Sequence, residues 1–185
     1  MDHSVSLVKL YLIAWTIPFQ VLINNAAIVP PTNLTHTKDG FESQFGTNHL
    51  GHFFLTALLL PHILSTASAS YSPRIVNVSS DAISDPRVGL DIRLDDPNYM
   101  LRPDEYQRMV SYSLSKVANT LHAREIARRY QDRGLLAYSL HPGGVRTNLI
   151  RNSPADLLLE LGLIDKDGNV VRPERFKTIA EGTST

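Results

Sequence analysis

"RIVNVS", residues 74–79, sets Ile75, Val76 and Val78 in a run of β-branched residues with little polar alternation. That pattern suits a strand covered on both faces, as in a parallel sheet. Two further runs resemble it, "FQVLIN" (19–24) upstream and "LLAYSL" (135–140) downstream. The stretches between them, about 40–64 and 111–131, carry helical spacing at lengths that suit crossover connections. The chain therefore reads β-α-β-α-β. The expected fold class is α/β, a partial Rossmann-type parallel sheet of about three strands with crossover helices.

Working outward, a first helix is expected over about 4–16 and an irregular tail after the third strand. No repeat, linker or low-complexity stretch interrupts the chain, and a length of 185 residues suits one domain over 1–185. The apolar segment "KLYLIAWTIPFQVLI" (9–23) has the hydrophobicity of a signal-peptide core. Its flanks do not fit, since Asp2 and a single Lys9 precede it and Pro18 and Gln20 interrupt it. It is also shorter than the ~18 residues of a membrane span. Residues 81–109, acidic and with three prolines, are expected to form a long loop. Loops of that length inside compact domains are functional or disordered, so this one is a substrate cover or a solvated insertion.

Composition excludes several classes. The chain is 43% hydrophobic and 19% charged, as in globular proteins. Lys plus Arg balances Asp plus Glu at 18 each, which leaves no electrostatic footprint for nucleic acid or anionic lipid. There is no cysteine, so disulfides and thiolate metal sites are ruled out. The cytoplasm is the expected location.

Ligands of open parallel sheets sit at the carboxyl ends of the strands. Here those ends carry "NNAA" (24–27), "SSD" (79–81) and "HPGG" (141–144), all small or hydrogen-bonding residues. On the following helix, Tyr112, Lys116 and Asn119 share one side at 100° per residue, with Leu114, Val117, Ala118 and Leu121 opposite. The Tyr–Lys pair points either at solvent or at a polar site. A phenol with a pKa of about 10 becomes a workable acid or base near neutrality only when a neighbour such as an ammonium stabilises the phenolate. In "FESQFGTNHLGHFF" (41–54), Phe41, Phe45, Asn48 and His52 fall on one side. An internal Asn costs a helix ~0.5 kcal/mol, so Asn48 is either a satisfied core amide or the holder of a water in a site. His49 and His52 have no clear third ligand, and a metal is not expected. A serine hydrolase built from Ser80, His141 and Asp81 lacks the G-x-S-x-G elbow.

Taken in order, "VLINNAA", "GTNHLGHF", "RIVNVSS", "YSLSK" and "HPGGVRT" closely resemble the short-chain dehydrogenase/reductase family, particularly its retinol-dehydrogenase-like branch, over about residues 17–150. The resemblance implies an NAD(P)-dependent oxidoreductase that passes a hydride between the nicotinamide of NAD or NADP and a small-molecule alcohol or carbonyl. It implies a tetrad of Asn48, Ser80, Tyr112 and Lys116. Ser80 would bind the substrate oxygen and Tyr112 transfer the proton. Lys116 would lower the Tyr112 pKa and hold the nicotinamide ribose, while Asn48 would anchor a water. Asn25 and Ala26 would lie along the adenosine, and Pro142, Gly143, Val145 and Thr147 would meet the nicotinamide. Ala27 stands where the family usually has glycine. Helices 40–64 and 111–131 are the family's frequent dimer contacts, so a homo-oligomer is possible.

The family's dinucleotide site also needs a glycine-rich turn, TGxxxGxG, that holds the pyrophosphate at a helix N-terminus. No glycine precedes Gly40 here, and no later set has that spacing. The expectation is therefore a chain lacking the N-terminal glycine-rich βαβ half. "TIAE" (178–181) reads as a capping box that opens a helix close to the last residue, which suggests a second truncation there. "VLIN" should form an unpaired edge. The alternative function is a catalytically inactive fragment acting at most as a binding partner.

Overall fold

The computed structural model describes residues 18–28, 31–84, 95–148, 153–171 and 176–184. The helix expected over 4–16 lies outside them, as does the middle of the 81–109 loop. Three parallel strands form the sheet in the order β1 (Val21–Asn24), β2 (Arg74–Val78), β3 (Leu136–Leu140). Val21 pairs with Arg74 and Asn24 with Asn77, while Ile75 pairs with Ala137. Helix α1 joins β1 to β2 in three consecutive pieces, Ser43–Phe45, a π turn at Gly46–Leu50, and Gly51–Ser65. Helix α2, Arg108–Tyr130, joins β2 to β3. Gly134, at φ +78°, lets the chain reverse out of α2 into β3.

Both helices cover the same sheet face. Leu22 and Ile75 project from the strands onto Leu59 and Ile63 of α1 and Ile126 of α2, with Leu135 closing the core. These side chains are at least nine-tenths buried, each contributing on the order of 1.5–3 kcal/mol of hydrophobic stabilisation. On the opposite face Val21 and Ile23 are 41% and 61% exposed. Among the described residues β1 pairs only with β2, so it is a sheet edge, as its sequence implies.

Two features differ from the sequence reading. Leu114, Val117, Ala118 and Leu121 do not form the buried stripe of α2: Leu114 is buried but Leu121 faces out. The polar side is the packed one, with Ser111, Ser113, Ser115, Lys116 and Asn119 all buried, because this side meets strand ends that carry hydrogen-bonding groups. The tail is also more regular than expected. A two-stranded parallel sheet forms between β4 (Gly144–Val145) and β5 (Phe176–Lys177). Two short helices, α3 (Ala155–Glu160) and α4 (Ile179–Thr183), flank β5 in sequence. The capping box that opens α4 has Thr178 Oγ1 accepting from the Glu181 N–H at 3.2 Å and Glu181 Oε2 accepting from the Thr178 N–H at 2.6 Å. Arg108, at the start of α2, pairs with Asp156 and Glu160 on α3, which ties the tail to the helix that bears the site.

Candidate functional site

The site is assembled where the carboxyl ends of β2 and β3 meet the amino-terminal half of α2 and the π turn of α1. Glu42 starts this part of α1: its carboxylate is fully buried and accepts from the N–H groups of Gln44 and Phe45 at 3.0 and 2.8 Å. The next turn widens to i→i+5 bonding over Gly46–Leu50, and such π turns occur frequently at functional sites. Asn48 sits in it, fully buried. Its Oδ1 accepts from the Ile28 N–H at 2.9 Å, and its Nδ2 donates to Ser115 Oγ at 3.3 Å. Its backbone carbonyl accepts from Asn119 Nδ2 at 3.0 Å and approaches His52 Nδ1 at the same distance. Thus the side chain of Asn48 is a satisfied core amide, while its carbonyl is turned into the network beneath α2.

That network reaches Lys116. Asn119 Nδ2 also donates to the Val78 carbonyl at 3.3 Å, and Lys116 Nζ donates to the same oxygen at 3.2 Å. Lys116 is 3% exposed. Burial pushes its ammonium down to about 8, and its Nζ lies 5.6 Å from the centre of the Tyr112 ring. The Ser80 hydroxyl lies beside the Tyr112 phenol and acts to lower its pKa. Ser80 Oγ also accepts from the Ala82 N–H at 3.2 Å and donates to Asp81 Oδ1 at 3.3 Å. Its neighbour Ser79 faces inward, donating to the Lys116 carbonyl at 2.9 Å.

The structure therefore brings Asn48, Ser80, Tyr112 and Lys116 into one connected set. Its electrostatics depart from expectation in one respect. Burial holds the Tyr112 phenol above its ordinary value and the Asp81 charge raises it further, with only the Ser80 hydrogen bond opposing.

The residues expected on the cofactor side are more dispersed. Asn25 and Ala26 are exposed just past β1. Pro142, Gly143, Val145 and Thr147 form the turn after β3, with Gly143 at φ +88°. A Cβ on Gly143 would lie 3.0–3.3 Å from the Lys177 side chain, and one on Gly182 would lie 2.5 Å from Val145. The segment after residue 176 thus packs directly on this turn.

Sequence reasoning did not single out Asn77 and Ser115, and took Asn24 only as part of a strand end. Asn24 and Asn77 are register partners. Asn24 Nδ2 donates to Asn77 Oδ1 at 2.8 Å and to Thr56 Oγ1 at 3.0 Å, and Asn77 Nδ2 donates to the Asn119 carbonyl at 3.0 Å. The available signal was a single Asn inside each of two otherwise apolar runs, since a buried amide needs partners. His49, His52 and His122 gather near these amides. Burial, together with the other two imidazoles, pushes His122 down to about 4. Among the described residues no three His, Asp or Glu side chains are placed so that they could hold a metal ion. The hydrolase arrangement also fails on geometry. Asp81 stands between its partners, with Oδ1 toward Ser80 and Oδ2 3.5 Å from His141 Nε2, whereas a hydrolytic triad needs the imidazole to take the serine proton.

The fold and the sequence are shared with known proteins. The model of the short chain dehydrogenase family matches residues 11–91. Human retinol dehydrogenase 14 is 44% identical over 165 residues, which is 89% of this chain and 44% of that protein. The chloroplastic short-chain dehydrogenase TIC 32 A of Brassica napus is 42% identical over 76% of this chain and 43% of its own length. The chain thus spans less than half the length of these relatives. An NADPH-bound carbonyl reductase from chicken fatty liver superposes with a TM-score of 0.57 at 23% identity, covering 98% of this chain and 61% of that one. A 4-hydroxyisoleucine dehydrogenase complexed with NADH and succinate gives 0.58 at 18% identity, covering 90% and 63%. At such identities the structural likeness shows the fold alone. No helix among the described residues is long and apolar enough to cross a membrane. Ordered motifs, parallel sheet and relatives together establish that the chain belongs to the short-chain dehydrogenase/reductase family, in its retinol-dehydrogenase-like branch.

Proposed function

We propose that this chain carries the proton-transfer half of an NAD(P)-dependent oxidoreductase acting on a small-molecule alcohol or carbonyl. The observation that carries the reading is the connected set Ser80–Tyr112–Lys116, with Asn48 joined to it through Asn119 and Val78. The names of the relatives, retinol dehydrogenases among them, support a lipophilic alcohol or aldehyde as substrate.

The residues present fit the nicotinamide end of either dinucleotide. An ammonium has three donors, so Lys116, bound to Val78, retains capacity for a ribose hydroxyl. The Pro142–Thr147 turn offers a glycine at positive φ for close backbone approach. The cofactor, when bound, supplies the hydride. Ser80 would bind the substrate oxygen once its hydroxyl turns from Asp81. Tyr112 would give or take the proton on that oxygen. With a carboxylate nearby and an apolar surround, Tyr112 is suited to remain protonated and act as acid in the direction of carbonyl reduction. Asn48 would fix the backbone that leads from Lys116 to solvent.

In a polypeptide that also carries the glycine-rich amino-terminal half, Tyr112→Phe is expected to abolish aldehyde-dependent NAD(P)H oxidation while leaving cofactor affinity nearly intact. Retained turnover would remove Tyr112 from the proton-transfer role. A second reading, a non-catalytic binding partner, is favoured by the open β1 edge with Ile23 exposed. Self-association through α1 and α2 is supported by the exposed Phe53, Phe54 and Leu121. Size-exclusion chromatography of Phe54→Glu tests it, a loss of the dimer being the expected result.

A further inference from the structure

Asp81 carries no proton in the transfer just described, yet it touches the site from two directions. It follows Ser80 directly, at the start of the 3-10 turn Asp81–Ser84. That turn is fixed to α2 by Ser113 Oγ, which donates to the Ala82 carbonyl at 3.1 Å. Its Oδ1 receives the Ser80 hydroxyl at 3.3 Å, and its Oδ2 lies 3.5 Å from His141 Nε2 at the end of β3. A serine hydroxyl has one proton and two lone pairs. Here the proton is directed at Asp81 and one lone pair takes the Ala82 N–H, with Tyr112 beside the same hydroxyl.

We propose that Asp81 is a positioning residue for Ser80: with His141 near one of its oxygens, it takes the serine proton on the other, so that the Ser80 hydroxyl must release Asp81 before it can donate to Tyr112 or to a substrate oxygen. This inference rests on the oxidoreductase reading above. The carboxylate competes with the substrate for one proton, which makes residue 81 a determinant of how readily a carbonyl enters the site. The charge of Asp81 also faces Tyr112 and raises its phenol. The groups around that phenol are Ser80 and Asp81 after β2, Lys116 on α2, and, behind Asp81, His141 after β3.

The test follows Tyr112 itself. Tyrosine labelled with carbon-13 at Cζ is incorporated into the full 185-residue chain, the Tyr112 signal is assigned by its loss in Tyr112→Phe, and its titration midpoint is measured. Asp81 is exposed, so Asp81→Asn keeps the fold. The expected result is a midpoint shifted to lower pH in Asp81→Asn, and a smaller shift for the same change in a Ser80→Ala background, since the effect passes partly through the serine. An unmoved midpoint in Asp81→Asn overturns the proposal. So does an equal shift in both backgrounds, which would make Asp81 a bare charge with no hold on Ser80. The titration needs neither cofactor nor substrate. A negative result therefore falls on Asp81 alone, while failure of the oxidoreductase reading shows in the turnover assay.

Discussion

Lys116 is an ammonium almost wholly out of water with its contacts on polar groups of the sheet end, an arrangement that serves chemistry at a cost in stability. Its folded value of about 8 lies below the unfolded one, so between about pH 8 and 10.5 the unfolded chain binds more protons and stability rises with pH across that window. At pH 7 the buried charge costs on the order of 3 kcal/mol as an upper figure. Lys116→Met is therefore expected to stabilise the chain at pH 7 by about 1–2 kcal/mol, with the gain shrinking by pH 9.5. Urea unfolding at the two pH values checks this. His122 acts at the other end of the scale. With a folded value of about 4, it favours unfolding as pH falls from about 6.5 toward 4. His122→Gln should flatten that part of the stability profile. The tetrad residues were legible in sequence because they form an ordered set of short motifs. The amides that connect them were not, because Asn24 and Asn77 meet only through the register of β1 on β2, which single-strand patterns do not contain.

Among the elements, α1 shows most clearly what periodicity conceals. A helix over 40–64 was legible from its apolar spacing, and the observed helix nearly coincides with it. The π turn at Gly46–Leu50 was not, and Gly46 at its start is closely enclosed. A Cβ there would stand 2.8 Å from Thr37 Cγ2 and 3.1 Å from Phe41 Cβ. Gly46→Ala is expected to destabilise the chain by about 1–3 kcal/mol through overpacking. It should also shift the amide resonance of Ile28, whose N–H is bound to Asn48. An unchanged Ile28 resonance would separate the π turn from the placement of Asn48. Helix α2 offers the complementary lesson. Its polar side was visible, but whether that side met water or the sheet depended on strand ends more than thirty residues away in sequence.

At the scale of the molecule, β1 is an apolar strand that has no partner on one edge among the described residues and an exposed face carrying Val21 and Ile23, with Tyr138 of β3 also exposed. Such edges template association, so Ile23→Lys is expected to lower the light scattering of concentrated solutions without altering the circular dichroism. On the proposed function the chain carries residues for the nicotinamide end of a dinucleotide site, while its sequence holds no glycine-rich turn for the pyrophosphate, so weak cofactor binding at one end only is expected. Saturation-transfer NMR with NADPH on the 185-residue chain tests this most directly. The account predicts transfer to the nicotinamide ring and its ribose that exceeds transfer to the adenine and is lost in Lys116→Met. Transfer centred on the adenine, or a nicotinamide signal unchanged in Lys116→Met, would contradict it.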